Sequence, residues 1–228
     1  MVMDQLFNSV IDQFRASFTL HDVALDPALA KPNSFLKVLD ATHYNWTSDR
    51  FEKLFGMRFK VKLPPLDQLN TIFYPEPCYE TPIFLFFCLV TKRKVIAHIG
   101  LNCPFSDAAY LEHWVGPLLA LQQQYGSFEA MDRYPEWMKK YRQDCTIMGM
   151  YPKDRLDDIG NCARDYLTHY LKRAAVAEPE TDPERLATIA AFHEQFREDI
   201  RTQDKAQGMI AKMIGKEKAR RIFYEITT

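Results

Sequence analysis

The 228-residue chain contains no G-x-G-x-x-G, no G-K-[ST], no H-E-x-x-H and no G-x-S-x-G. These absences remove the common signals for dinucleotide, phosphate, zinc and serine-hydrolase sites, and leave an outside reductant or acid–base chemistry alone to drive any reaction. Cysteine is sparse and unpaired: Cys78, Cys88, Cys103, Cys145 and Cys162 are odd in number and never form C-x-x-C. Neither a disulfide framework nor a zinc site fits that spacing, so buried free thiols and no metal are expected. Charge is balanced, 29 basic residues against 30 acidic, so nothing draws the chain as a whole to nucleic acid or to anionic lipid. Long apolar runs are missing too, since Pro82 to Val90 covers about half of the ~20 residues that a membrane-spanning helix needs. That run reads as a buried strand. An acid at position 4 breaks what would be the apolar centre of a secretory signal, and a cytoplasmic protein is expected.

What the chain does have is aromatic side chains, 16 Phe, 11 Tyr and 3 Trp. They suit a pocket for a flat ligand, and equally a large core. Leu6, Phe7, Val10, Ile11, Phe14 and Phe18 recur at helical spacing, which predicts an amphipathic helix over Asp4 to Phe18. From Phe35 to Asn102 the pattern shifts to short segments rich in Val, Ile, Phe and Tyr. Turns such as Lys31-Pro32-Asn33 and Pro64-Pro65 separate them, as in an antiparallel sheet with short connections. Helices are expected again at Asp107–Gln124, Leu156–Arg173, Pro183–Arg201 and about Asp204–Ile226, the last interrupted at Gly215. Helices before and after one antiparallel sheet make an α+β chain, an α/β/α three-layer sandwich with the sheet at its centre, spanning 1–228 as one domain.

The best-defined strands are Thr81–Thr91 and Lys94–Cys103, joined at Lys92-Arg93. Both are apolar at nearly every position, so both faces of this hairpin should be covered. A two-residue turn makes paired residue numbers sum to 185 and sets Phe87 opposite His98, with both side chains on one face.

Two segments resemble the ferredoxin-dependent bilin reductases. Asn70 to Pro75 reads NTIFYP, Tyr79 to Phe84 reads YETPIF, and the hairpin closes on Cys103-Pro104. Asp204 to Gly215 reads DKAQGMIAKMIG and is followed by a helix ending in Phe223-Tyr224. The resemblance covers residues ~50–228. It implies an open-chain tetrapyrrole lying between the sheet and the C-terminal helices, with no bound flavin or metal. Single electrons would come from external reduced ferredoxin, protons from side chains, and a heme oxygenase would stand upstream. Asp204 matches the family's C-terminal catalytic aspartate. Lys205 matches a basic residue that some members use on a propionate, and Asn70 a position that is His in some members. Phe84, Phe87 and Met209 join Lys205 as expected substrate-binding residues.

The ordinary alternatives stay open: a helix N-cap for Asp204, a turn-ordering amide for Asn70, a solvated chain for Lys205. The sequence departs from the family pattern at Phe87, where members carry a central-sheet aspartate five residues after the Pro of the P-x-F segment. The usual F-G pair reads Phe84-Leu85, and Thr146 to Pro152 offers no base until Lys153. His98, across from Phe87, is the candidate to replace the missing acid, with an ordinary pKa in the useful range. A core histidine bonded to a backbone carbonyl is its rival reading. The remaining histidines are expected at the surface or at interfaces. Basic clusters at Lys92-Arg93-Lys94, at Lys139, Lys140 and Arg142, and at Lys216, Lys218, Arg220 and Arg221 would suit an acidic ferredoxin. Rival functions are reduction of another open tetrapyrrole, as in the red chlorophyll catabolite reductases, a non-catalytic tetrapyrrole carrier, and an unrelated interaction domain.

Overall fold

The computed structural model describes residues 2–32, 39–125 and 135–228. Seven strands form one antiparallel sheet in chain order: β1 (His21–Asp22), β2 (Leu39–Thr47), β3 (Phe51–Val61), β4 (Leu66–Pro75), β5 (Ile83–Val90), β6 (Lys94–Asn102) and β7 (Ile147–Pro152). Each of the links between β2 and β6 is too short for a crossover, so each strand pairs with its successor. The helices are α1 (Met3–Ser17), α2 (Pro27–Ala30), α3 (Ala108–Trp114), α4 (Gly116–Gln124), α5 (Leu156–Val176), α6 (Pro183–Gln203), α7 (Ala206–Ile214) and α8 (Lys216–Arg221). A 3₁₀ turn covers Glu136–Tyr141, and a π-helical segment, Ile222–Thr227, ends the chain. This is the three-layer sandwich that the sequence predicts.

Two cores lie on the two faces of the sheet. On one, the α1 stripe of Leu6, Val10 and Phe14 meets Phe51, Phe73, Phe84 and Phe86 and the inner side of α5, all buried. Phe14 contacts Phe51 and Phe73 edge-on at 4.9 and 5.1 Å, and cutting such a ring to alanine costs about 3–5 kcal/mol. Arg58 pins the start of this helix, its Nε donating to Asp4 Oδ1 at 3.0 Å while Nη2 reaches Asp67. The second core sets Phe55, Met57, Ile72, Tyr74 and Leu85 against Phe196 and Ile200 of α6, Ile210 of α7 and the C-terminal segment. A face-to-face division of this kind is what alternating side chains on one sheet produce.

The hairpin register is as expected: Ile83 pairs with Asn102, Phe87 with His98, Val90 with Val95. The helix expected over Asp107–Gln124 is two helices meeting at Val115, because Pro117 lacks the amide that would continue α3 into α4. Strand β7 was not foreseen. The expected strand start at Phe35, and Asn33 of the Lys31-Pro32-Asn33 turn, lie outside the described residues. Four cysteines are buried as free thiols, and Cys78 is exposed.

Candidate functional site

Strand pairing places six residues in one row across the second face: His43, Met57, Asn70, Phe87, His98 and Met148, each the direct partner of the next. Directly paired residues share a face, and Met57, Phe87 and Met148 all pack on the core beneath α6 and α7. With strands about 4.8 Å apart, Asn70 and His98 flank Phe87 and stand about 10 Å from each other.

His98 is 3% exposed, and burial pushes its imidazole down to about 3. It is therefore a neutral ring at physiological pH, which corrects the expectation of a group titrating near neutrality. Gly100, two residues along the same face, leaves space for the ring. A Cβ there would stand 3.3 Å from His98 Nε2 and 3.2 Å from Thr146 Oγ1. Asn70 Oδ1 is buried with no hydrogen-bond partner among the described residues, a state that costs about 1–3 kcal/mol until a donor arrives.

Asp204 joins α6 to α7. Its Oδ1 accepts from the Ala206 amide at 2.8 Å, so it does cap the next helix. Burial raises its carboxyl above the ordinary aspartate value, and the Ala206 bond only partly opposes that. Capping and proton-holding are thus compatible in one side chain. α6 begins beside Cys78 and Glu80, where Glu180 N donates to Cys78 O and Arg185 pairs with Glu80, and it runs antiparallel to β4. From the Tyr74–Phe196 ring contact at 6.2 Å, four residues back along β4 to Asn70 span about 13 Å. Eight residues forward along α6 to Asp204 span about 12 Å. α6 and α7, which Asp204 joins, cover the sheet face that carries the row. Lys205 and Met209 are exposed, and Ile210 is the α7 residue that is fully buried.

The sequence signature described as ferredoxin-dependent bilin reductase matches residues 7–226. The chain belongs to that family. Among curated relatives, the 15,16-dihydrobiliverdin:ferredoxin oxidoreductase of Gloeobacter violaceus is 24% identical over 167 residues, 68% of this chain and 65% of the relative. The phycocyanobilin:ferredoxin oxidoreductase of Synechococcus elongatus is 24% identical over 157 residues, 68% of this chain and 62% of the relative. The chain thus spans a little under two thirds of the length of these relatives. Among solved structures, tomato phytochromobilin synthase in complex with biliverdin superposes with a TM-score of 0.86 at 14% identity, over 98% of this chain and 82% of the other. A protein named PcyX gives 0.59 at 14% identity, over 98% and 96%. At that identity the two structures share the fold.

In this bilin reductase family member the row carries Asn70, Phe87 and His98 together, but not Phe84. Phe84 lies in the opposite core, stacked on Phe73 at 5.6 Å and against Tyr170 at 5.2 Å, so its expected place in the substrate pocket is corrected. Three residues separate it from Phe87, and an odd separation along a strand reverses the face. His43 and His193 are buried rather than at the surface. His43 Nδ1 bonds Leu29 O at 2.7 Å, and His193 Nδ1 lies 3.4 Å from Glu52. Sequence reading also missed Met57 and Met148 at the flanks of the row, although the register would have found them once β3 and β7 were placed. Of the basic clusters, Lys140 is committed to Asp199, Arg220 to Glu217, and Arg221 to Glu225 and Asp26. Lys92, Arg93 and Lys94 remain exposed at the hairpin tip. Among the described residues, no group of three His, Cys, Asp or Glu is placed to hold a metal ion, and no helix is long and apolar enough to cross a membrane.

Proposed function

We propose that this protein reduces a linear tetrapyrrole, biliverdin or a related bilin, with single electrons from external reduced ferredoxin and protons from its own side chains. The observation that carries the reading is the Asn70–Phe87–His98 row on the sheet face that α6 and α7 cover, with a carboxyl at their junction, Asp204, whose proton affinity burial has raised. Saturating one double bond takes two electrons and two protons. Each electron entering the conjugated system makes a ring carbon or nitrogen more basic, and a carboxyl whose proton affinity burial has raised can then donate. Asp204 is that donor, recharged from solvent. Asn70 Oδ1 accepts from a pyrrole or lactam N–H, which ends its unpaired state and orients the ligand. His98, neutral and buried, hydrogen-bonds the far side of the ligand and passes a proton rather than storing one. Phe87 and the two methionines supply an apolar floor for a flat conjugated chain. Lys205 is free to reach a propionate from its exposed place on the junction. A heme oxygenase would supply the bilin, and the protein would work in the cytoplasm as one domain.

The biliverdin bound by the tomato structure supports a tetrapyrrole in this fold. Loss of the central acid at Phe87 favours a second reading, a tetrapyrrole carrier without catalysis. Anaerobic incubation with biliverdin, ferredoxin and a ferredoxin-reducing system separates the two. Reduction gives a new absorbance band and a chromatographically distinct product that require ferredoxin. A carrier gives only the band shift of binding, before ferredoxin is added.

A further inference from the structure

Five residues before Asp204, the inner stripe of α6 holds a carboxylate that the chemistry above leaves unused. Asp199 is 2% exposed, and its two oxygens collect four donors. Oδ1 accepts from Gln195 Nε2 at 3.1 Å and from Gln203 Nε2 at 2.6 Å. Oδ2 accepts from the Tyr141 hydroxyl and from Lys140 Nζ at 2.6 Å. That fills the acceptor capacity of an ionised carboxylate. Burial alone would raise this carboxyl, but the bonds from Lys140 and Tyr141 outweigh it and hold it below the ordinary aspartate range. A carboxylate is wanted here, not a carboxylic acid.

The donors come from two places. Gln195 and Gln203 sit one turn before and one turn after Asp199 on α6. Lys140 and Tyr141 end the 3₁₀ turn, and the Tyr141 ring stands edge-on to Phe196 and Phe192 at 5.0 and 5.7 Å. Helix ends normally fray, because their last carbonyls lack partners. This end is tied down, and Gln203, the residue it holds, immediately precedes Asp204.

We infer that Asp199 is a positioning residue for Asp204: by gripping Gln203 from one side and the 3₁₀ turn from the other, it fixes where the Asp204 carboxyl stands at the α6–α7 junction. The inference rests on the reading of Asp204 as proton donor. Asp199 itself touches no substrate. Its replacement therefore loosens the α6–α7 junction and lowers turnover through Asp204 alone.

Asp199→Asn keeps the shape but presents an NH₂ group to the donors. In this variant, amide hydrogen exchange over residues 203–210 should rise tenfold or more, with biliverdin affinity within about threefold of wild type. Turnover should fall about tenfold, yet less than twofold when Asp199→Asn is added to Asp204→Asn, because the group it positions is already gone. Tyr141→Phe, which removes one donor, should repeat the pattern more weakly and serves if Asp199→Asn does not fold. Unchanged exchange over 203–210 overturns the inference, and so does a loss of turnover that simply multiplies in the double variant. Failure of wild type to reduce biliverdin overturns the functional reading instead, and the exchange result alone then decides on the clamp.

Discussion

At the scale of single residues, the site is defined by what stands between Asn70 and His98. The family resemblance implies an acid there and this chain places Phe87, while burial holds the neighbouring imidazole of His98 down to about 3. Phe87→Asp puts a carboxyl beside His98 in the same row. An opposite charge at that distance raises a histidine, so the His98 titration followed by NMR should move up by at least a unit from its depressed value. Burying the new group should also cost about 1–3 kcal/mol in urea unfolding. A His98 titration that does not move would mean that the two side chains do not share a face. Residue-level reading of the sequence succeeded where a single pairing rule was enough, as for Phe87 and His98. It failed for Phe84, where the strand's own alternation was not applied, and for His43 and His193, whose burial is set by α2 and α6 arriving from elsewhere in the chain.

Elements were legible wherever period and punctuation agreed. α1 and α6 follow their apolar stripes, and the C-terminal helix divides at Gly215 as its sequence suggests. β7 was not legible, because Ile147 to Pro152 reads IMGMYP, with a glycine, a proline and two methionines where a strand usually carries β-branched residues. The ladder to β6 makes it a strand. The two glycines of the C-terminal region give opposite predictions. Gly215 has φ of 93° and ψ of 151°, a conformation that side chains disfavour, and a Cβ there would meet nothing within 4 Å. Gly215→Ala should therefore destabilise by about 1–3 kcal/mol through the backbone alone. Gly208 lies inside α7 with the same open space, so Gly208→Ala should stabilise by up to about 1 kcal/mol. Urea unfolding of the pair checks both signs. Equal effects from the two substitutions would show that α7 does not end at Gly215.

For the whole molecule, the layer order was readable because hydrophobic periodicity switches cleanly from helix to sheet and back. The depth of individual groups was not readable, because it depends on which helix covers which strand. That depth has a consequence in acid. His43 and His98 are held by burial at about 4 and about 3, against 6.5 for an ordinary histidine. Below pH 6.5 the unfolded chain takes up protons that the folded chain refuses. Stability is thus complete above that pH and is lost toward pH 3–4, by roughly 1 kcal/mol per pH unit for each ring. The urea midpoint should fall steadily between pH 6.5 and 5, and a flat midpoint would contradict the burial of these rings.

The central claim is that a half-buried carboxyl at the α6–α7 junction, Asp204, delivers protons to a bilin lying on the Asn70–Phe87–His98 row. The measurement that tests it most directly is anaerobic single-turnover reduction of bound biliverdin by ferredoxin in wild type and in Asp204→Asn. Both proteins should bind biliverdin with similar affinity. The wild type should form product, and the variant should be slower by about 10²–10⁴, in keeping with removal of a general acid. Equal rates in the two proteins would contradict the account.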